Sequence, residues 1–527
     1  MSGKQVIHEI LVFFLIMILP AVTLSKSDDQ KAYEALSYYL ELIHSGNFES
    51  AEDFWETSAI ERAHRLGIEY ENVPIKTDCS SPVVYDREHL RYHLFHGIKS
   101  RSVVDSGLVK LNFSANIDVG KVYHSYLAQK LGDDFWLIFP QDYYARDWQR
   151  FETRYFRFYI NPKRLEHYNH IAAEALDDFV EKIAGKIGIP SDRLSLLAEK
   201  KIDYYLCLDK IEVRKFTSRH EAGVYETGAD AIISMIFPDF HLISQLLVNF
   251  RLEKLPLFTV PVLREGLSIY LGGRWQRSPE VIIDFGEYIL DYELTEVDSI
   301  FVEDDSASDA TGDITYPIDA CFVDFLLTKL GGYDFFELYR NLSGDYRTVN
   351  GISADDIKST VADALGTDWS GFRMSFKEYF AVRENHGGLI FPGDIAADKV
   401  LIEEQGLVVS VSDKWLSVDY AEPGNDNIDI NVVFDKNVEL TGKISSLFDE
   451  QYHNQRDYEG HRFGIKMDRN EIGLYDYATN QLKAKYVVNF DPSPDYYNEE
   501  KSEIRAYFDI NLLDGNLPDK NDFKILR

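Results

Sequence analysis

The residues best suited to chemistry lie in the middle third of the chain. His241 stands in the apolar, helix-like segment FHLISQLLVNFRL, with Leu242 beside it and Gln245 one helical turn on. After Pro256 and Pro261 comes a second helix-like segment, LREGLSIYL, which carries Arg264, Glu265 and Tyr270. Residues at i and i+4 share one face of a helix, so His241 and Gln245 point the same way. An imidazole and a carboxylate brought together from two such helices would suit proton transfer or metal binding. A lone His on an apolar helix is more often a satisfied core or surface group than a ligand, so the pattern needs support from its surroundings. His220-Glu221 is followed by Ala222, Gly223 and Val224 and is expected to end a loop. The acidic segment EDDSASDATGD carries Asp305, Asp309 and Asp313, hard oxygen donors at every fourth position. That spacing is not the ligand spacing of an EF-hand, and a solvated lid is the expectation. Tyr316 follows this lid and is a candidate to face a cleft. No GxSxG, Walker or dinucleotide-binding pattern occurs.

The elements that must position these residues are legible as periodicity. Residues 30–67 read as helices, with Tyr33, Leu36, Tyr39, Leu40 and Ile43 at helical spacing and Gly46-Asn47 as punctuation. Beyond about residue 80 the texture alternates, as in SGLVKLNFSANIDV and KVYHSYLAQKLGDDFWLIFP, and predicts a curved antiparallel sheet. Helices followed by such a sheet, over residues 26–150, resemble an NTF2-like cone; a helical-repeat start is the second reading. The region 151–385 opens with the strand RYFRFYI and continues into a long helix from Leu165 to Ile187. A strand KIDYYLCL, a glycine-bearing loop, a strand AIISMI and the two helices already named follow, and the helices IDACFVDFLLTKL and YDFFELYRNL close the region. The domain 386–527 is entered through NHGGLIFPGD, and the alternation that runs through 396–527 predicts an all-β sandwich.

The order strand, glycine-bearing loop, strand, helix with His and helix with Glu-Gly-Leu resembles the gluzincin-type, peptidase MA-like zinc metallopeptidases. In that family a His-Glu-x-x-His helix precedes a helix bearing Glu-Gly-Leu-x-x-Tyr. Two His and the later Glu hold zinc, and the Glu beside the first His takes a proton from the zinc-bound water. The resemblance maps the first ligand onto His241 and the third onto Glu265. It maps the general base onto Leu242 and the second His onto Gln245. An aliphatic side chain cannot accept a proton, and a neutral amide is a poor zinc ligand beside imidazole. The resemblance therefore implies an α+β gluzincin-like fold without catalytic residues: Leu242 and Gln245 are degenerate positions, His241 and Glu265 are vestigial, and Tyr270 and Tyr316 are candidate cleft residues. No metal or other cofactor is expected.

Composition narrows the partners. Lys and Arg number 55 against 88 Asp and Glu, a formal charge of −33, and such a field repels phosphate backbones and anionic lipid. Nucleic acid is excluded as a partner on this ground. Apolar residues at 45 % are ample for packed cores, so disorder is not the global expectation. Lys4, the apolar run Ile10 to Leu19, Pro20 and the small residues Thr23 and Ser25 read as a signal peptide over 1–25, too short to span a bilayer. The mature chain is expected to be secreted, periplasmic or at the cell surface, with no membrane span. Cys79, Cys207 and Cys321 are expected as buried thiols, with one pairing left open. The expected function is a non-catalytic peptide- or protein-binding scaffold. The alternatives are an active zinc peptidase with substituted ligands, and a glycan-binding surface protein whose sandwich stacks sugars on Trp415, Tyr420, Tyr475, Tyr477 or Tyr486.

Overall fold

The computed structural model describes residues 26–90, 97–117, 120–168 and 170–274, scattered positions from 279 to 290, then 297–301 and 312–381, and backbone strands between 399 and 526. The expected signal peptide (1–25), Asp305 and Asp309, the linker at 385–394, and the side chains of the sugar-stacking candidates Trp415, Tyr420, Tyr475, Tyr477 and Tyr486 lie outside the described residues. The chain is mixed α+β with several separate sheets. Contacts divide it into two compact units, Met1–Ile60 with Arg87–Pro140, and Glu61–Asp86 with Gln141–Arg527. No helix among the described residues is long and apolar enough to cross a membrane.

In the first unit, helix α1 (Asp28–Ser45) carries Asp28 and Asp29 in its first turn, where carboxylates complement the helix dipole. It ends at Gly46, whose φ of 77° needs a residue without Cβ. Its apolar face buries Leu36, Tyr39, Leu40 and Ile43, as their spacing predicts. Tyr39 meets Trp55 and Tyr126 edge-on. The sheet is a four-stranded antiparallel meander of β1 (Ile98–Asp105), β2 (Leu108–Ile117), β3 (Gly120–Leu131) and β4 (Asp134–Ile138).

The second unit is built on a five-stranded sheet. Its strands are β5 (Gln149–Glu152), β6 (Phe156–Ile160), β7 (Ile202–Leu206), β8 (Gly223–Glu226) and β9 (Ala231–Ser234), in the order β5-β6-β7-β9-β8. Strands β6, β7 and β9 run parallel, and β5 and β8 pair antiparallel at the two edges. Every residue of central β7 is buried, which is why it reads as a nearly continuous apolar run. Its one charge, Asp203, is matched by Arg65 at 2.9 Å and Arg157 at 2.7 Å. The crossover helix α2 (His170–Ile187) begins at His170; the residues before it, Pro162–His167, form a 3-10 turn where the sequence predicts helix from Leu165.

Residues 61–86, assigned by the sequence reading to the N-terminal domain, belong with this sheet instead. The pair Glu69–Tyr70 forms a parallel bridge with Lys254–Leu255. Lys76 Nζ sits 3.0 Å from Asp230 Oδ1 and donates to the Thr227 carbonyl at 2.7 Å. Such pairing joins residues some 150–185 positions apart, beyond the reach of any local periodicity.

Four of the helices that follow among the described residues matter here. They are α3 (Phe240–Leu252), α4 (Pro261–Gly272), α5 (Gly312–Asn341) and, near the end of the unit, α6 (Trp369–Ala381). Pro261 starts α4 at the one helical turn that tolerates a missing N–H. Helix α5 absorbs both segments that the sequence separates, with a break at Gly331, whose φ is 73°. Beyond residue 399 the described strands form two five-stranded antiparallel sheets and a two-stranded one of Val438–Glu439 and Asn511–Leu512. One five-stranded sheet contains Lys399–Glu404, Leu407–Val411, Trp415–Ala421, Glu503–Asp509 and Lys485–Val487. The other contains Gln481–Leu482, Glu471–Asp476, Phe463–Asp468, Ile430–Phe434 and Phe523–Leu526.

Candidate functional site

Helix α3 is held at its start by Asp239, whose carboxylate accepts from the Leu242 backbone N–H at 3.2 Å and from the Ser234 hydroxyl at 2.8 Å. Leu242, Ile243, Leu246, Leu247 and Phe250 bury one face, so His241 and Gln245 are left on the half-buried side. The face opposite is set by glycine. A Cβ at Gly272 would lie 2.2 Å from the Phe240 carbonyl oxygen, and one at Gly266 would lie 2.5 Å from the Asp319 carbonyl oxygen. These two positions let α4 approach α3 on one side and α5 on the other. Gly272→Ala is expected to cost about 1–3 kcal/mol of stability in urea unfolding, because the obstacle is backbone and cannot rotate away. A loss near zero would mean that the crossing can open.

This close crossing brings the two sequence candidates together. His241 Nε2 lies 3.2 Å from Glu265 Oε2, and its Nδ1 donates to the Gly273 carbonyl at 3.0 Å. The Gln245 amide nitrogen is 3.2 Å from the same Nε2. Arg274, which the sequence reading passed over, supplies the remaining partner. Its Nη1 is 2.9 Å from Glu265 Oε2 and 3.5 Å from His241 Nε2. Arg264 Nε holds the other carboxylate oxygen at 3.1 Å. The Arg274 guanidinium also lies 3.7 Å from the centre of the Tyr316 ring, a cation–π contact. Tyr316, a cleft candidate from the sequence, is therefore in contact with the cluster.

Burial alone would raise the Glu265 carboxyl. The hydrogen bond from His241 and the charges of Arg264, His241 and Arg274 outweigh it and hold Glu265 well below the usual carboxylate range. Asp319 goes the other way: burial and the nearby Glu265 charge push it well above, against the pull of Arg274. Its Oδ1 has no hydrogen-bond partner among the described residues. Asp239 is also raised, by burial, in spite of His241, Ser234, the Leu242 N–H and Arg274. The cluster thus holds one firmly ionised carboxylate between two guanidinium groups. Asp319 sits one helical turn beyond Tyr316 in TYPIDACF, a signal that sequence reading could have used. Arg274 had none, because its role depends on where the chain turns after Gly272-Gly273.

Zinc, which intact members of the family that the sequence resembles hold, does not fit these side chains. A guanidinium already lies against the Nε2 and Oε2 atoms that would ligate it, and like charge opposes a second cation there. The third position offers only the Gln245 amide. Among the described residues no three His, Cys, Asp or Glu side chains converge to hold a metal ion. Leu242 is buried and turned toward β8, where its Cδ1 would lie 2.8 Å from a Cβ at Gly223.

The other candidates fall elsewhere. Tyr270 is on the opposite side of α4 from Glu265, under the Lys186 ammonium at 3.6 Å, so the cleft expected for it is a different one. His220 and Glu221 are exposed on the loop before β8. Asp313 falls in the first turn of α5. Cys79, Cys207 and Cys321 are all buried free thiols, and burial pushes the Cys79 thiol up to about 12. A scan against protein-family models and a search of curated proteins both return no match.

Proposed function

We propose that this chain is a secreted, non-hydrolytic protein built on a degenerate gluzincin-like domain, and that the former substrate cleft holds an extended peptide without cutting it. The observation that carries the reading is the Arg274 guanidinium lodged against His241 Nε2 and Glu265 Oε2. In the family that the sequence resembles, the corresponding imidazole and carboxylate hold a metal cation. Here a side-chain cation neutralises the same carboxylate, which explains how Glu265 stays ionised in a half-enclosed site. Leu242 offers no proton acceptor beside the imidazole, so general-base activation of water is lost. The peptide-binding half of the proposal rests on the start of β8, an edge strand of the five-stranded sheet, where half-buried Gly223 adjoins Leu242 and the following Val224, Tyr225 and Glu226 are buried. A sheet edge offers main-chain donors and acceptors to an added strand.

The same reading takes the helices and four-stranded meander of the first unit as an NTF2-like cone. It takes the two five-stranded antiparallel sheets beyond residue 399 as a β-sandwich. Export follows from the charge and apolar pattern of residues 1–25.

The purified chain is expected to contain substoichiometric zinc by elemental analysis and to leave fluorescent casein undigested with or without chelator. A casein-derived peptide is expected to bind in fluorescence anisotropy and to be recovered intact. Stoichiometric zinc with chelator-sensitive cleavage would overturn the proposal, and absence of any peptide binding would remove its second half.

A further inference from the structure

Behind α4, away from His241 and Glu265, a cavity of about 440 Å³ opens between the end of α2, the end of α3, α4 and the second half of α5. Small-molecule sites commonly span roughly 300–1,000 Å³, so the space suits a small ligand. Its lining includes the cations Lys186 and Arg251 and the rings of Tyr270 and Phe336, and among the described residues no Asp or Glu lines it. In a chain with a formal charge of −33, a concavity with two cations and no carboxylate departs sharply from the surrounding field. Arg251 is preset: its Nε donates to the Ile187 carbonyl at 3.1 Å and its guanidinium lies 5.6 Å from the Phe336 ring centre. No carboxylate among the described residues forms an ion pair with it. The Nε anchor fixes the plane of the fork and leaves the two Nη groups to meet a pair of oxygens.

A second feature points the same way. Gly185 lies within α2 and Gly332 beside the Gly331 break in α5, and both line this cavity. Neither adopts a left-handed φ, and a Cβ on either would meet nothing within 4 Å. Glycine weakens a helix relative to alanine, so neither backbone conformation nor packing calls for glycine at these places. Both keep the cavity wall free of side chains.

We infer that this cavity binds a small organic anion, its carboxylate or phosphate on the Arg251 fork and beside Lys186, its planar or apolar body against Tyr270 and Phe336. The site is independent of the His241–Glu265 cluster, so the proposed loss of hydrolysis has no bearing on it. Benzoate and phenyl phosphate, titrated against the full chain by calorimetry and by ligand-observed NMR, test it and separate the two headgroups; benzyl alcohol is the neutral control. At least one anion is expected to bind saturably at one site, with benzyl alcohol showing none. Arg251→Gln is expected to weaken binding by about tenfold or more. Gly332→Leu, whose Cβ would meet nothing within 4 Å, is expected to abolish binding without lowering the melting temperature. Failure of both anions to saturate, equal binding of benzyl alcohol, or wild-type affinity in folded Gly332→Leu would each overturn the inference.

Discussion

Lys76→Met is expected to lower the unfolding free energy by about 3–5 kcal/mol, the cost of stranding one partner of a buried ion pair. The side chains of Lys76 and Asp230 are 2 % and 0 % exposed, so water cannot replace the lost ammonium. Asp230 would keep the Tyr225 hydroxyl at 2.9 Å, and Arg65 Nη2 would keep its backbone carbonyl at 3.0 Å, but no cation would remain on the carboxylate itself. Asp230 also holds a left-handed φ of 46° in the turn between β8 and β9, so it has little freedom to swing away. Loss of Lys76 also removes one tether of residues 61–86 to that turn, the bond of the same ammonium to the Thr227 carbonyl, while the Ser80 bonds to Glu226 and Thr227 remain.

The pH dependence of this variant has a definite sign. Burial already raises the Asp230 carboxyl above its ordinary value of 3.8, with Lys76 the main opposing influence. Without Lys76 the native-state value rises further while the unfolded value stays put. Between those two values the native state binds more protons than the unfolded chain, so stability falls as pH rises through the window and returns as pH falls. Lys76→Met is therefore expected to recover toward wild type on acidification from neutral pH, read as converging urea midpoints. A deficit that is constant with pH would show that lost packing, not the orphaned carboxylate, dominates.

Glu265→Ala is expected to cost about 2–4 kcal/mol, somewhat less than a fully buried pair, because its partners retain some water. The Glu265 side chain is 14 % exposed and Arg274 23 %, whereas Arg264 at 41 % can rehydrate. Removing the carboxylate leaves His241 and Arg274 in contact with no anion between them. A double-mutant cycle checks this: Arg274→Ala in the Glu265→Ala background is expected to restore part of the loss, since it removes the uncompensated charge. Strict additivity of the two changes would show that the cluster is not coupled. Here the pH sign is the reverse of that at Asp230. The folded-state value of Glu265 lies well below its ordinary 4.5, so its contribution is complete above that value and is lost as pH falls through the folded one. The gap between wild type and Glu265→Gln is expected to close only under strongly acid conditions.

Much of the local structure was written in the order of residue types. The apolar stripe of α1, the all-buried run of β7 and the Pro261 start of α4 each express an interaction that spans a few residues, where period and propensity suffice. The facing of His241 and Glu265 was anticipated from the order of elements. Its cause was visible only as two glycines, Gly266 and Gly272, whose neighbours come from other helices.

Tertiary structure alone decided the rest. That residues 61–86 serve the second unit depends on Lys76 meeting Asp230 and on Glu69–Tyr70 meeting Lys254–Leu255, pairings too distant in sequence to leave a periodic trace. Tyr270 follows Glu265 in the same short helix, yet their positions differ by more than a third of a turn, so Tyr270 lines the cavity behind α4 while Glu265 meets His241 and Arg274. Arg274 is the clearest case. A cation after a pair of glycines carries no signature by itself, and only the path of the chain around the end of α4 brings it onto the imidazole and carboxylate. Residue types fixed which groups were available for chemistry, and the backbone path fixed which of them share a charge.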